Sequence, residues 1–381
     1  MKRVVLFFAL AVLAFPLEGN AQRSLSRNKA RRQQVLMSRQ WIADAREKYE
    51  QAIEEEVFEW GNLKLKFKAI TYGEKPDDGR SLYISMHGGG GTPTAVNDQQ
   101  WRNQIHLYKP AEGVYVAPRA PWDAWNMWFQ EGIDELFEML IQAAVAHWDV
   151  NPDKVYLMGY SAGGDGVWRM APRMADRWAA ASMMAGHPGE ASQVNLRNTP
   201  FMIWMGENDA AYNRNTLAVK HGAIMDSLQV ADPVGYVHET HIIRDKGHWM
   251  ERIDTLAVPW MAKHSRNPYP EKIVWRQELV ARTAMYWLAA PSDECTHGAT
   301  VIAERKGNVI DISQCDYSCL TLYLNDEMFN LNRPVEVRYQ GERIFKGRVP
   351  RTSENLQQTL TERGDLRYCF PASVEVKIPS K

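Results

Sequence analysis

Between Leu63 and Ile243, short apolar runs alternate with longer segments of helical periodicity, and this alternation constrains the fold more than any other feature. Leu63 to Ile70 alternates like an exposed strand. Leu82 to Met86, Val114 to Ala117, Val155 to Met158, Ala179 to Ala185 and Phe201 to Met205 read as strands, followed by Val237 to Ile243. Ile133, Leu136, Phe137, Leu140, Ile141, Ala144 and Val145 form a helical stripe; a helix also follows Ser161, and Asn215 to Leu228 is helical. Strands alternating with helices of this length predict a mostly parallel sheet covered on both faces. In such sheets, reactive groups gather on loops at the carboxyl ends of the strands.

The ends of the chain read differently. Lys2 and Arg3 precede an apolar run from Val4 to Phe15, and Gly19-Asn20-Ala21 follows as a small-residue cleavage site. Residues 1–21 are therefore expected to be a signal peptide and the body to be periplasmic or secreted, without stable membrane insertion after cleavage. Residues 22–62 are expected to hold a basic arm and then a helix from Gln34 to Val57, striped by Ile42, Ala45, Tyr49 and Ile53. The α/β unit is expected over 63–290. After Pro291 the helical segments stop and the pattern turns strand-like, which predicts a small β-rich module over 293–381.

A net charge of −1 argues against a nucleic-acid partner. The four cysteines, Cys295, Cys315, Cys319 and Cys369, all lie in the last quarter. Export would permit disulfides, with three complete pairings open. Cys315 and Cys319 with nearby His297 fit no strong zinc pattern, so no metal is expected.

The chemistry centres on Gly159-Tyr160-Ser161-Ala162-Gly163, between a buried strand and a helix. A serine there sits on a tight turn that flanking glycines permit, with its hydroxyl lifted from the sheet. A free serine hydroxyl is a poor nucleophile and needs a base. Gly206-Glu207-Asn208-Asp209 and Gly247-His248 follow two later strands, which makes His248 the candidate base and Asp209 the candidate acid. An ordinary imidazole pKa near ~6.5 suits taking up and returning a proton. Glu207 as the acid and His187 as the base are the alternatives.

His87-Gly88-Gly89-Gly90-Gly91 follows the strand ending at Met86 without the Lys-Ser/Thr of a phosphate loop. Backbone N–H groups of Gly88, Gly89 and Ala162 are the candidate oxyanion donors, and His87 braces their loop. Trp122, Trp125 and Trp128, with His187 at another strand end, are candidate pocket residues.

In these motifs and their order the chain resembles the α/β-hydrolase superfamily over about Leu63 to Ala290. Its surroundings look most like secreted esterases of the feruloyl esterase and polyhydroxybutyrate depolymerase type. They also look like the hydrolase domain of prolyl oligopeptidase-type peptidases. The resemblance implies an α/β-hydrolase fold and a serine hydrolase acting through an acyl-enzyme on a small-molecule or polymer-linked ester, with no cofactor. A peptidase is the alternative, and a non-catalytic binding protein on the same scaffold is a second. The segment before Leu63 is too short for the gating domain such peptidases carry.

Overall fold

The computed structural model describes residues 24–379, so the expected signal peptide lies outside the described residues. The elements of the main body, in order, are α1 (Arg27–Glu54), β1 (Val57–Trp60), β2 (Leu63–Tyr72), β3 (Arg80–Met86), α2 (Thr94–Ile105), β4 (Gly113–Arg119) and α3 (Ile133–Trp148). They continue with β5 (Val150–Tyr160), α4 (Ala162–Arg173), β6 (Ala180–Met184), β7 (Phe201–Gly206), α5 (Arg214–Ala231), β8 (His238–Ile243) and α6 (Ala257–Met261).

The eight strands form one sheet in the order β1-β2-β4-β3-β5-β6-β7-β8. From β4 to β8 all neighbours are parallel, and β2 joins β1 and β4 antiparallel. This is the α/β-hydrolase architecture. The inner strands are apolar because both faces are covered: β4, β6 and β7 are buried along their whole length. Strand β2 lies near the rim and alternates between buried and exposed residues, as its sequence does. One face packs against α3, α4 and α5 through residues such as Phe137, Trp168 and Met225. The other packs against α2 and α6 through Tyr83, Tyr115, Trp204 and Met261.

Beyond α6 come β9 (Lys272–Arg276), β10 (Ala284–Met285), β11 (Leu288–Ala289), β12 (Thr300–Lys306), β13 (Val309–Cys315), β14 (Cys319–Leu324), β15 (Val335–Tyr339), β16 (Glu342–Gly347), α7 (Ser353–Arg363) and β17 (Ala372–Lys377). They make a five-stranded sheet, β16-β15-β13-β12-β9, and a four-stranded one, β10-β11-β14-β17. A second apolar core runs between them, from Tyr269 to Val376.

Three expectations need correcting. The C-terminal module gathers in β9, β10 and β11, which precede residue 290, because β9 pairs with β12 and β11 with β14. It also contains a helix, α7, capped by the Thr352 hydroxyl on the Asn355 N–H. The basic arm is helical from Arg27, where the Ser26 hydroxyl caps the first turn, and this helix ends at Glu54 rather than Val57.

Helix α1 spans both units. Its C-terminal half packs on the body, where the Tyr49 hydroxyl donates to Gln142 Oε1 at 2.9 Å. Its N-terminal half packs on the module: Leu25 and Met37 adjoin Leu356, Leu360 and Cys369, and the Leu25 N–H donates to the Arg351 carbonyl at 2.8 Å. All four cysteines are free thiols. Among the described residues no helix is long and apolar enough to cross a membrane.

A buried set of ion pairs fastens the two units. Asp176, fully buried, pairs with Arg363 of α7 at 2.5 Å. Asp365 takes Arg177 at 3.0 Å and Arg266 at 2.7 Å. The Tyr368 ring lies under the guanidinium groups of Arg363, Arg266 and Arg177, at 4.5, 5.1 and 5.4 Å from its centroid.

Candidate active site

Ser161 stands between β5 and α4 with φ 58° and ψ −122°, a conformation that L-residues rarely adopt. Its surroundings hold it there. The Ser161 N–H donates to the Met184 carbonyl at the end of β6, at 2.9 Å. The flanking glycines are required by contact: a Cβ on Gly159 would lie 2.4 Å from the Gly163 carbonyl oxygen, and one on Gly163 would lie 2.1 Å from that of Met86. Strand and helix therefore approach more closely than any side chain allows.

The loops after β5, β7 and β8 bring three of the expected residues together. His248 Nε2 lies 2.8 Å from Ser161 Oγ, and its Nδ1 lies 2.7 Å from Asp209 Oδ2. A carboxylate can only accept, so Nδ1 carries the proton and Nε2 is free to accept from the serine. Asp209 is almost wholly buried, and Arg214 Nη1 lies 3.9 Å from its other oxygen. Glu207 is committed elsewhere: its carboxylate accepts from the Asp245 N–H at 3.0 Å.

The glycine loop lies beside the serine, and a Cβ on Gly88 would come within 3.0 Å of Ser161 Cβ. Among the described residues the backbone N–H groups of Gly88, Gly89 and Ala162 have no hydrogen-bond acceptor. Ala162 also opens α4, where free N–H groups and the helix dipole favour negative charge. Gly90 is turned away, because its N–H donates to the Asn97 side chain at 2.9 Å.

His87 braces this loop. Its Nδ1–H donates to the Gly88 carbonyl at 2.6 Å, while its Nε2 accepts from the Ala120 N–H at 3.1 Å. Burial lowers its pKa to about 3, so the ring is neutral. Trp128 Nε1 donates to the His87 carbonyl at 2.9 Å.

Asn97, on α2, was not singled out by sequence. It is fully buried, accepts from the Gly90 N–H, and donates to the Gly90 carbonyl at 2.9 Å and to Asp123 Oδ1 at 2.8 Å. Only Asn97 and Gln104 of α2 are fully buried, both amides, and its apolar contacts are the partly buried Trp101 and Ile105 near its end, so no stripe runs through Asn97. If the Gly88 and Gly89 N–H groups bind an oxyanion, Asn97→Ala is expected to lower kcat by about 10-fold or more, because it loosens the loop that carries them and losing one such donor typically costs about 10²–10³. Steady-state kinetics on a short ester checks this, with KM within about twofold of wild type as the sign of a transition-state effect.

The expected pocket is only partly where the sequence put it. A cleft of about 620 Å³ opens beside Ser161, lined by Gly88, Gly89, Val96, Gln100, Asn103, Gln104, Leu107, Tyr160, His248 and Trp249. Trp128 is fully buried beneath the glycine loop, and Trp122 packs on the main core. Trp125 is 68% exposed, beside Gly90 on the rim. These rings follow a loop with no periodicity, so sequence could not orient them. His187 is also absent from the cleft lining: its N–H donates to Asp165 Oδ1 at 2.6 Å, and its Nδ1 accepts from the Gly189 N–H.

Asp165, on the first turn of α4, is a further carboxylate near the triad. Burial raises its pKa to about 6, against the His187 N–H bond and the charges of Arg214 and His248. A raised folded pKa gives stability that is complete below the unfolded value near ~3.8 and lost as pH rises through about 6. Asp165→Asn removes that loss. The difference in melting temperature between variant and wild type is therefore expected to move in the variant's favour from pH 4.5 to pH 8. A pH-independent difference would contradict it.

No family model and no curated protein matches the sequence. Solved structures do resemble the fold. A thermostable esterase is 17% identical with a TM-score of 0.41, over 55% of this chain and 62% of its own. A ferulic acid esterase is 16% identical with a TM-score of 0.37, over 53% of this chain and 93% of its own. An alpha-beta serine hydrolase homologue from Coxiella burnetii is 13% identical with a TM-score of 0.36, over 54% and 94%. The chain thus spans 62% of the length of the first of these.

Proposed function

We propose that the protein is an exported serine hydrolase that cleaves carboxylic esters through an acyl-enzyme. The observation that carries this is the unbroken relay Asp209–His248–Ser161, with contacts of 2.7 and 2.8 Å, beside unoccupied backbone N–H groups. The basic and apolar N-terminal run supports export.

Ser161 Oγ attacks the ester carbonyl carbon while His248 Nε2 takes the hydroxyl proton. Asp209 holds the Nδ1–H and stabilises the imidazolium. The carbonyl π electrons move to oxygen, which faces the N–H groups of Gly88, Gly89 and Ala162. When the tetrahedral adduct collapses, the alkoxide leaves with the proton from Nε2, and Ser161 carries the acyl group. Water then repeats the sequence, with His248 as base, and releases the acid.

Hydrolysis of p-nitrophenyl esters and covalent capture by a fluorophosphonate test this together. A single phosphonyl adduct on the peptide containing Ser161, with loss of esterase activity, is the expected result. An active enzyme labelled elsewhere, or a protein that neither hydrolyses nor labels, would overturn it.

A further inference from the structure

The residue before the serine ties the nucleophile to the loop that carries the base. Tyr160 is the last residue of β5, so its backbone and that of Ser161 are fixed by the same strand end. Its hydroxyl donates to the His248 carbonyl at 2.6 Å and accepts from the Met250 N–H at 3.1 Å. Its ring meets Trp249, centroid to centroid at 5.6 Å, and the His248 imidazole edge-on at 6.0 Å. One side chain thus touches three successive residues of the base loop.

The loop's other bonds, the Asp245 N–H on Glu207 at 3.0 Å, the Lys246–Glu251 pair at 2.7 Å and Arg252 on the Leu107 carbonyl at 3.0 Å, do not reach the strand that carries the serine. The loop follows β8 as irregular chain, and the His248 side chain is 44% exposed. On the acid side, the Asn208 N–H donates to the Lys246 carbonyl at 2.8 Å, and Gly206 lets the Gly247 carbonyl approach closely. On the serine side the hydrogen bonds come from Tyr160. Met250 is fully buried, so its N–H has no water to replace the phenol.

From this geometry we infer that Tyr160 is a positioning residue: its hydroxyl sets the distance between His248 and Ser161. The inference rests on the proposed serine chemistry. Tyr160 also walls the cleft, so its ring and its hydroxyl have separable jobs. The ring shapes the space that holds substrate. The hydroxyl fixes the backbone from which the imidazole hangs, and a misplacement of about 1 Å can cost 10²-fold in rate.

Tyr160→Phe separates the two. It keeps the ring and removes both hydrogen bonds. The expected result is a fall in kcat of about 10-fold or more with KM within about twofold, and a parallel fall in the rate of fluorophosphonate labelling at Ser161. Tyr160→Leu, which also reshapes the wall, is expected to raise KM as well. Circular dichroism of each variant gives its folded fraction. Wild-type kcat and labelling rate in Tyr160→Phe would overturn the inference while leaving the proposed function intact. So would a fall in kcat that only matches a lost folded fraction. A wild type that neither turns over esters nor labels would overturn the proposed function first, and the clamp with it.

Discussion

Ser161→Ala is expected to lower kcat/KM toward a short p-nitrophenyl ester by about 10⁴-fold or more. In the proposed mechanism the serine forms the acyl bond, since His248 Nε2 meets it at 2.8 Å and Asp209 completes the relay. What remains without it is water attacking a carbonyl held against the Gly88, Gly89 and Ala162 N–H groups. His248→Ala should cost nearly as much, and the double variant little more than either, because the two residues act as one unit. Additive losses in the double variant would mean that they work independently. Alanine at position 161 keeps the strained backbone conformation, so melting behaviour should stay close to wild type and the loss can be read as chemistry. Activity within tenfold of wild type would remove Ser161 from the mechanism.

The second large effect is on stability. Asp176→Asn is expected to destabilise the fold by about 3–5 kcal/mol, because it leaves buried arginines without their counter-charge. Asp176 is fully buried and pairs with Arg363, itself 5% exposed, across the seam between body and module. Burial alone would raise the Asp176 pKa, but Arg177, Arg363, Arg282 and Arg266 together hold it below the usual carboxylate range. At Asp365 the same opposition, with Arg266 and Arg177 the leading charges, leaves a pKa of about 2. A depressed folded pKa gives stability that is present above the unfolded value near ~3.8 and lost as pH falls through about 2. The network's contribution should therefore be intact at pH 5 and collapse between about pH 4 and 2. Urea unfolding of wild type and variant across that range measures it. Replacing both partners, as Asp176→Leu with Arg363→Met, should cost less than Asp176→Asn alone, since no unpaired charge is then buried. A loss under about 1 kcal/mol in the single variant would show the pair to be dispensable.

The sheet and the three loops that bring Ser161, Asp209 and His248 together were legible because buried parallel strands are nearly unbroken apolar runs, and each of these residues stands just past one. What escaped the sequence has other physical origins. The fully buried residues of α2 are amides, so Asn97 carried no periodic signal. Tyr160 stood in the turn motif with no role of its own, although its hydroxyl bonds the loop after β8. The first turns of α1 are basic and polar, and they are ordered by contacts with residues more than three hundred positions away. Strand β9 was assigned to the body because its partner, β12, lies beyond Pro291.

That last kind of contact also dictates an order of events. The beginning of α1 leans on Arg351, Ser353 and Cys369, residues made more than three hundred positions later. Helix α1 is therefore made long before the residues that seat its N-terminal half. Until the chain has been made as far as Phe370, the body can form its sheet, but α1 is held by only one end.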